Sequence, residues 1–97
     1  MRLVWTRTAI AIRRAIFKRI APEDDAAAKR LVTRLRNRAN SLEKLPRQGR
    51  AGRVPGTFEL VVSGTPYLII YSIEADEVRI LTILHHAQRW PPANSAP

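Results

Sequence analysis

The segment between Phe58 and Leu84 contains three short apolar runs, separated by two turn sequences of four residues each. The runs are 58–62, 67–73 and 78–84, and the turns are S-G-T-P and E-A-D-E. Connections this short join antiparallel strands. The middle run is apolar apart from Ser72, which indicates burial on both faces. The C-terminal half of the chain therefore predicts a three-stranded antiparallel unit.

A short strand and a helix are predicted at the N-terminus. Arg2–Trp5 forms the apolar strand, and Thr6 can cap the helix that follows. Apolar residues then recur at helical spacing until Pro22 stops the helix. Arg13 falls inside this apolar arc, where we expect its guanidinium to reach solvent or a carboxylate.

A second helix follows after only a few residues, so we expect the two helices to pack as an antiparallel hairpin. Asp24 or Asp25 caps it, and Pro46 ends it. Its apolar stripe extends over five to six turns and comprises Ala28, Leu31, Val32, Leu35, Ala39, Leu42 and Leu45. The glycine-rich segment 47–56 is predicted to be a loop.

The predicted fold class is α+β, in the order strand, helix, helix, strand, strand, strand. A mostly antiparallel sheet packs on the helical hairpin, with Leu35 and Ile70 buried between the two layers. A chain of 97 residues has room for one domain with one modest core. We expect that domain to span residues 1–90, and residues 91–97 to form a disordered tail.

The charge is high and unevenly distributed. Residues 1–53 contain 15 of the 17 Lys and Arg and four of the eight acidic residues, a net charge of +11, whereas the chain as a whole carries +9. A surface this cationic attracts nucleic acid or an acidic protein. A solvated basic surface without a partner is the simpler alternative.

Several classes of function are disfavoured by the sequence. There is no cysteine, which excludes disulfides and thiolate metal sites and fits a cytoplasmic protein. His85 and His86 are adjacent, so their spacing does not suit a tetrahedral metal cage. No Walker-type phosphate loop is present, and no run is long and apolar enough to span a bilayer. We expect no cofactor, no metal and no membrane partner.

Five segments carry a family resemblance through their order and spacing: R-L-V-W, D-D-A-A-A-K-R-L-V, G-R-V-P-G-T-F-E-L-V-V, G-T-P-Y-L-I-I-Y and I-L-H-H-A-Q-R-W-P. Over residues 1–91 the chain resembles the RelE/ParE family of toxins from bacterial type II toxin–antitoxin modules. The resemblance implies a cognate acidic antitoxin and one of two targets. ParE-like members poison DNA gyrase, and RelE-like members cut mRNA on the ribosome.

Two positions favour a ParE-like gyrase poison. Ribosome-dependent members carry an arginine directly after the tyrosine of the middle strand, and Leu68 stands at that position here. The I-L-H ending of the last strand, which is common in ParE-like members, is matched by Ile83, Leu84 and His85. Whether the chain is an enzyme stays open, and the alternative is a ribosome-dependent mRNA endonuclease.

The endonuclease alternative needs a proton-transfer group and cations that stabilise the phosphate. Its candidate catalytic residues are Glu59, His85 and Arg89. The candidate binding residues are Arg50, Arg53, Arg79, His86 and Trp90. Each has a structural alternative, above all a charge pair for Glu59 and a hydrogen-bonded structural role for His85. If the last strand continues beyond His85, His86 faces the opposite way.

Overall fold

Two helices cover one face of a five-stranded sheet in the computed structural model, which describes residues 1–88 and 90. The helices are α1 (Arg7–Ile20) and α2 (Asp25–Asn40). The strands are β1 (Arg2–Trp5), β2 (Arg50–Ala51), β3 (Thr57–Val61), β4 (Tyr67–Glu74) and β5 (Glu77–His85). The predicted fold class and order of elements are confirmed, with β2 added. The predicted tail, 91–97, lies outside the described residues.

The sheet has the strand order β1-β5-β4-β3-β2. The two tight turns make β3, β4 and β5 antiparallel, as predicted. The N-terminal strand β1 adds to the far side of β5 in parallel. Strand β2 was missed because it is only two residues long and lies in a segment rich in glycine and proline. It pairs Arg50 with Glu59 and Ala51 with Phe58.

Both predicted helix caps are confirmed. The Thr6 hydroxyl oxygen accepts a hydrogen bond from the Ala9 amide at 3.2 Å, and the hydroxyl donates to the Ile80 carbonyl at 2.7 Å, which ties the start of α1 to β5. Asp24 is the cap of α2, since its Oδ1 accepts from the Ala27 amide at 3.0 Å.

The second helix is shorter than predicted. It ends at Asn40, and a single 3₁₀ turn follows over Ser41–Glu43. Leu42 lies in that turn and is fully buried, whereas Leu45 lies beyond the turn and is 63% exposed. The apolar stripe therefore ends at Leu42, because the tighter turn rotates the chain away from the sheet before Pro46.

The core lies between the hairpin and one face of the sheet. Leu35 of α2 packs there as predicted, together with Ile69 and Tyr71 of β4. Ile70 is also fully buried, but it lies outside this core cluster. Because successive residues of a strand point to opposite faces, Ile70 belongs to the face away from the helices. The prediction of its burial was right, and the face was wrong.

Candidate functional site

A charge cluster holds β2 against β3 at one edge of the sheet. The Glu59 side chain is only 5% exposed, and its Oε1 accepts a hydrogen bond from Arg50 Nη2 at 3.2 Å. Its Oε2 accepts from the Arg53 amide at 3.4 Å and lies 3.9 Å from Arg53 Nε. Both guanidinium groups remain largely exposed. The predicted residues Glu59, Arg50 and Arg53 thus meet, in an arrangement that neutralises the buried carboxylate.

A second cluster lines a cleft between α1 and the ends of β4 and β5. The cleft is about 560 Å³, and Ile12 and Ile16 of α1 form its apolar floor. On its rim, Arg19 Nη2 donates to the Tyr67 hydroxyl at 2.6 Å. The His85 ring contacts Tyr67 edge-on, with ring centroids 5.7 Å apart. The result is an apolar groove with a cationic and aromatic rim.

Glu59 and His85 lie on opposite faces of the sheet. His85 is paired with Tyr67, a member of the core cluster on the helix side. Glu59 is paired with Ile70, which belongs to the other face. Residues opposite each other on neighbouring strands share a face, so the backbone of the sheet separates the two candidate proton-transfer groups.

Leu68 lies on the same outer face as Glu59. It is paired with Val61 of β3 and Leu84 of β5, and the three side chains form an apolar row across the sheet. Val61 is 47% exposed. The position at which a ribosome-dependent nuclease has an arginine is therefore occupied by part of an apolar surface.

Arg79 is held at the opposite end of β5 from His85. Its Nε donates to Glu77 Oε1 at 2.8 Å, and its Nη1 lies 3.7 Å from Glu74 Oε2. Glu77 also accepts from Arg2 at 2.8 Å, and these two arginines lower the pKa of its carboxyl. Six residues of extended strand, about 20 Å, separate Arg79 from His85. The structure does not bring Arg79 into either cluster.

The strand ends at His85, and the chain turns there. The His86 amide donates to the Pro66 carbonyl at 2.7 Å, and the rings of His85 and His86 stack with centroids 4.7 Å apart. The expectation that His86 faces away from His85 applied only to a strand that continues, and β5 ends at His85. Trp90 is half-buried, with a buried indole Nε1. Arg89 lies outside the described residues.

A third feature is a cationic cleft on the outside of the helical hairpin. Its volume is about 240 Å³, and Phe17 and Val32 supply its apolar surface. Four cations surround it: Arg13, Arg14, Lys18 and Arg36. Burial lowers the pKa of the Arg13 guanidinium, and the charges of Arg36 and Arg14 lower it further. A group placed in this cleft would meet concentrated positive charge around an apolar centre.

Sequence reasoning missed Arg19 and Tyr67 as parts of a site. Arg19 follows Ile16 by three residues, so it extends the face of α1 that packs on the sheet. Tyr67 begins β4, directly across from His85. The helical spacing of Arg19 was the available signal, but the pairing of Tyr67 with His85 required the strand register.

Two comparisons of sequence find toxins over nearly the whole chain. The family model described as the ParE toxin of the type II toxin–antitoxin system parDE matches residues 3–90. A protein of Sinorhizobium fredii named as toxin Y4kP is 40% identical over 90 residues, which cover 93% of each chain. Toxin RelE2 of Caulobacter vibrioides is 35% identical over 86 residues, 89% of this chain and 96% of that protein.

A solved structure has the same architecture. It is described as the chromosomal ParDE toxin–antitoxin system from P. aeruginosa, and one of its chains matches with a TM-score of 0.82 at 27% identity. The match covers 88% of this chain and 95% of that one. None of the helices in the described part of this chain is long and apolar enough to cross a membrane.

Proposed function

Because this chain belongs to the ParE toxin family of type II toxin–antitoxin systems, we propose that it arrests growth by poisoning DNA gyrase in the cytoplasm. Its partner within the module is an antitoxin. The molecule on which the toxin acts is inferred from the residues of its own surface. The competing target, mRNA on the ribosome, would require a catalytic site on this chain.

The separation of Glu59 and His85 onto opposite faces of the sheet carries the proposal. Cleavage of RNA by its own 2′-hydroxyl needs a base and an acid within hydrogen-bond reach of the same phosphate. Two groups with the sheet between them cannot flank one phosphate. Glu59 is in addition engaged by Arg50 and Arg53, with one hydrogen bond at each of its carboxylate oxygens.

On the outer face, the candidate cations beyond the Glu59 cluster support the same conclusion. A pentacoordinate phosphate needs positive charge aimed at its oxygens. On the outer face the position next to Tyr67 holds Leu68 within an apolar row, and Arg79 is neutralised by Glu74 and Glu77. A gyrase poison needs no such set. It needs a surface that contacts the protein, and Val61, Leu68 and Leu84 supply an apolar one.

The proposal is tested by inducing the chain in a bacterial host while protein synthesis and DNA supercoiling are followed in parallel. We expect supercoiling to fall before protein synthesis does, and purified gyrase to accumulate cleaved DNA when the chain is added. His85→Ala should leave this activity intact in folded protein. Trp90→Ala should weaken it, because an aromatic anchor contributes about 2 kcal/mol or more to an interface.

The opposite outcome is equally clear. Codon-positioned cuts in mRNA of a translating extract, abolished by His85→Ala while the variant keeps the melting temperature of the parent, would identify a ribosome-dependent nuclease. Normal supercoiling in the same cells would exclude gyrase as the target.

The cognate antitoxin is proposed to be acidic and to fold over the cationic cleft of the hairpin. Carboxylates of the antitoxin would meet Arg14, Lys18 and Arg36, and an apolar residue would contact Phe17 and Val32. A segment that is disordered alone and folds on binding suits such a cleft.

Co-expression with the neighbouring open reading frame tests this placement. Arg14→Glu with Lys18→Glu should abolish co-purification of the antitoxin, and Arg7→Glu with Arg47→Glu is the control for the same change of charge outside the cleft. Equal retention by both double variants would exclude the cleft as the antitoxin site.

A further inference from the structure

One flank of α2, on the side of β3 and the β3–β4 turn, carries a row of three arginines, Arg30, Arg34 and Arg38, which we call the arginine row. They are spaced four residues apart, so their Cα atoms follow one side of the helix at intervals of about 6 Å. Arg30 and Arg34 are exposed, and Arg38 is half-buried. The buried residues of α2 are Ala28, Leu35 and Ala39. The row lies beside them, and Arg38 Nε donates to the Val61 carbonyl of β3 at 3.3 Å.

Polar side chains accompany the row. Two shallow depressions follow this face and share Arg34 and Asn37. Lys29 and Thr33 line the first, and Ser41 lines the second. All of these groups can donate a hydrogen bond to an oxygen of a bound anion.

The row lacks internal counter-charges. In the described ranges, 1–88 and 90, neither Arg30 nor Arg34 forms an ion pair with a carboxylate, and Arg38 donates only to the neutral oxygens of Gln48 and Val61. Like charges four residues apart on a helix repel one another and destabilise it. The arrangement therefore does not serve the stability of α2, and it is suited to an external anion.

We propose that the arginine row binds the phosphate backbone of duplex DNA. Guanidinium forks match phosphate oxygens in geometry and charge, and hydroxyl and amide side chains are the other common phosphate contacts. The spacing of the row along a rigid helix allows successive guanidinium groups to meet successive phosphates of one strand.

The chemistry of this face favours a duplex over a single strand or a protein partner. Single strands are held by aromatic side chains on which bases stack, and α2 contains no aromatic residue. A protein partner needs an apolar centre in its interface, which the cleft around Phe17 offers and the exposed row does not. Direct contact with DNA goes beyond the proposed inhibition of gyrase and does not depend on it.

The test measures binding of a fluorescein-labelled duplex to the purified full chain by fluorescence anisotropy, without gyrase, over a series of salt concentrations. The variant is R30Q/R34Q, which leaves Arg38 and its internal hydrogen bonds in place. The matched control is R7Q/R14Q, which removes the same charge from two exposed residues of α1. Circular dichroism and thermal melting establish that both variants fold.

We expect R30Q/R34Q to lower the affinity roughly tenfold at physiological salt, and to reduce the slope of log K against log salt by about 2, since each phosphate contact contributes about 0.9. The control should change the slope by much less. Equal losses in the two variants would show a diffuse charge effect and overturn the proposal. Tighter binding of single-stranded RNA than of the duplex, or complete displacement of the duplex by an acidic polypeptide at equal charge, would overturn it as well.

Discussion

The guanidinium of Arg13 lies over the indole ring of Trp5, with its carbon atom Cζ 4.6 Å from the ring centroid. Trp5 is the last residue of β1 and packs against the core. Arg13 lies in the middle of α1, within the arc that the sequence marks as apolar. The contact explains how that arc accommodates a cation. The face of the indole ring attracts the guanidinium, while the aliphatic part of the Arg13 side chain covers apolar surface.

A double-mutant cycle with Arg13→Gln and Trp5→Leu should measure this contact. We expect a coupling free energy of about 0.5–1 kcal/mol between the two residues in the free energy of unfolding by urea. Strictly additive losses would contradict the cation–π contact and leave only packing for each side chain.

Tyr71 anchors the segment before β2 to the sheet. Its hydroxyl donates to the Pro46 carbonyl at 2.7 Å and accepts from the Gly49 amide at 2.9 Å. Tyr71→Phe removes both partners, and we expect it to lower the free energy of unfolding by about 1–3 kcal/mol. Urea denaturation checks this value. Phe58→Leu, which disturbs the ring stacked on Tyr71 but not the hydroxyl, separates packing from hydrogen bonding.

The same residue predicts a dependence of stability on alkaline pH. Burial raises the pKa of the Tyr71 hydroxyl above its ordinary value of 10.0. In the unfolded chain this phenol loses its proton near pH 10, whereas the folded chain retains it, so the folded state is destabilised as the pH rises beyond 10. The stability difference between the parent and Tyr71→Phe should therefore shrink above pH 10. A constant difference would contradict the raised pKa.

Leu42 and Leu45 test where the apolar stripe of α2 ends. Leu42 is fully buried and Leu45 is 63% exposed. Leu42→Ala should cost about 2–5 kcal/mol, whereas Leu45→Ala should stay within about 0.5 kcal/mol of the parent. Thermal melting of the two variants gives the comparison directly. Similar losses would mean that the helix continues to Pro46, as its sequence pattern indicates.

Local signals in the sequence were enough for much of the fold. Residue type and position predict Thr6 as the cap of α1 and either Asp24 or Asp25 as the cap of α2, since capping depends on a few neighbouring atoms, and the structure selects Asp24. The antiparallel pairing of β3, β4 and β5 was likewise predicted from local sequence, because a short turn leaves the next strand no other direction. The end of α2 was missed because Pro46 is the only strong stop signal, and the 3₁₀ turn that intervenes depends on packing of Leu42.

The site depended on information that no local pattern contains. Strand β4 is apolar on both faces, so its sequence cannot tell which side Ile70 takes. The pairing of β4 with β5 also shifts by one residue between Ile70 and Tyr71. Strict alternation of side chains along β5 therefore cannot be assumed from the sequence. The separation of Glu59 from His85 follows only from that register. The sequence could nominate both residues, and it could not say that they lie on opposite faces.

The turn between β4 and β5 stores backbone strain at Ala75. This residue has φ of 54°, in the left-handed region that glycine adopts at no steric cost. Ala75→Gly should therefore raise the free energy of unfolding by up to about 1 kcal/mol. Ala51→Gly, at an exposed strand residue, is the control and should lower it. A loss of stability in Ala75→Gly would show that the turn is not strained.

Substitutions of Glu59 and of its two arginine partners distinguish a structural role of this edge cluster from a catalytic one. Arg50→Gln combined with Arg53→Gln leaves the buried carboxylate without its guanidinium partners. We expect the free energy of unfolding to fall by about 1–3 kcal/mol, moderated by the exposure of both arginines.

Glu59→Gln keeps the shape of the side chain and removes its ability to take up a proton at neutral pH. If the cluster only holds β2 to β3, Glu59→Gln should inhibit gyrase as strongly as the parent once the fraction of folded protein, measured by circular dichroism, is taken into account. Loss of toxicity in a fully folded Glu59→Gln variant would instead make the carboxylate a proton-transfer group.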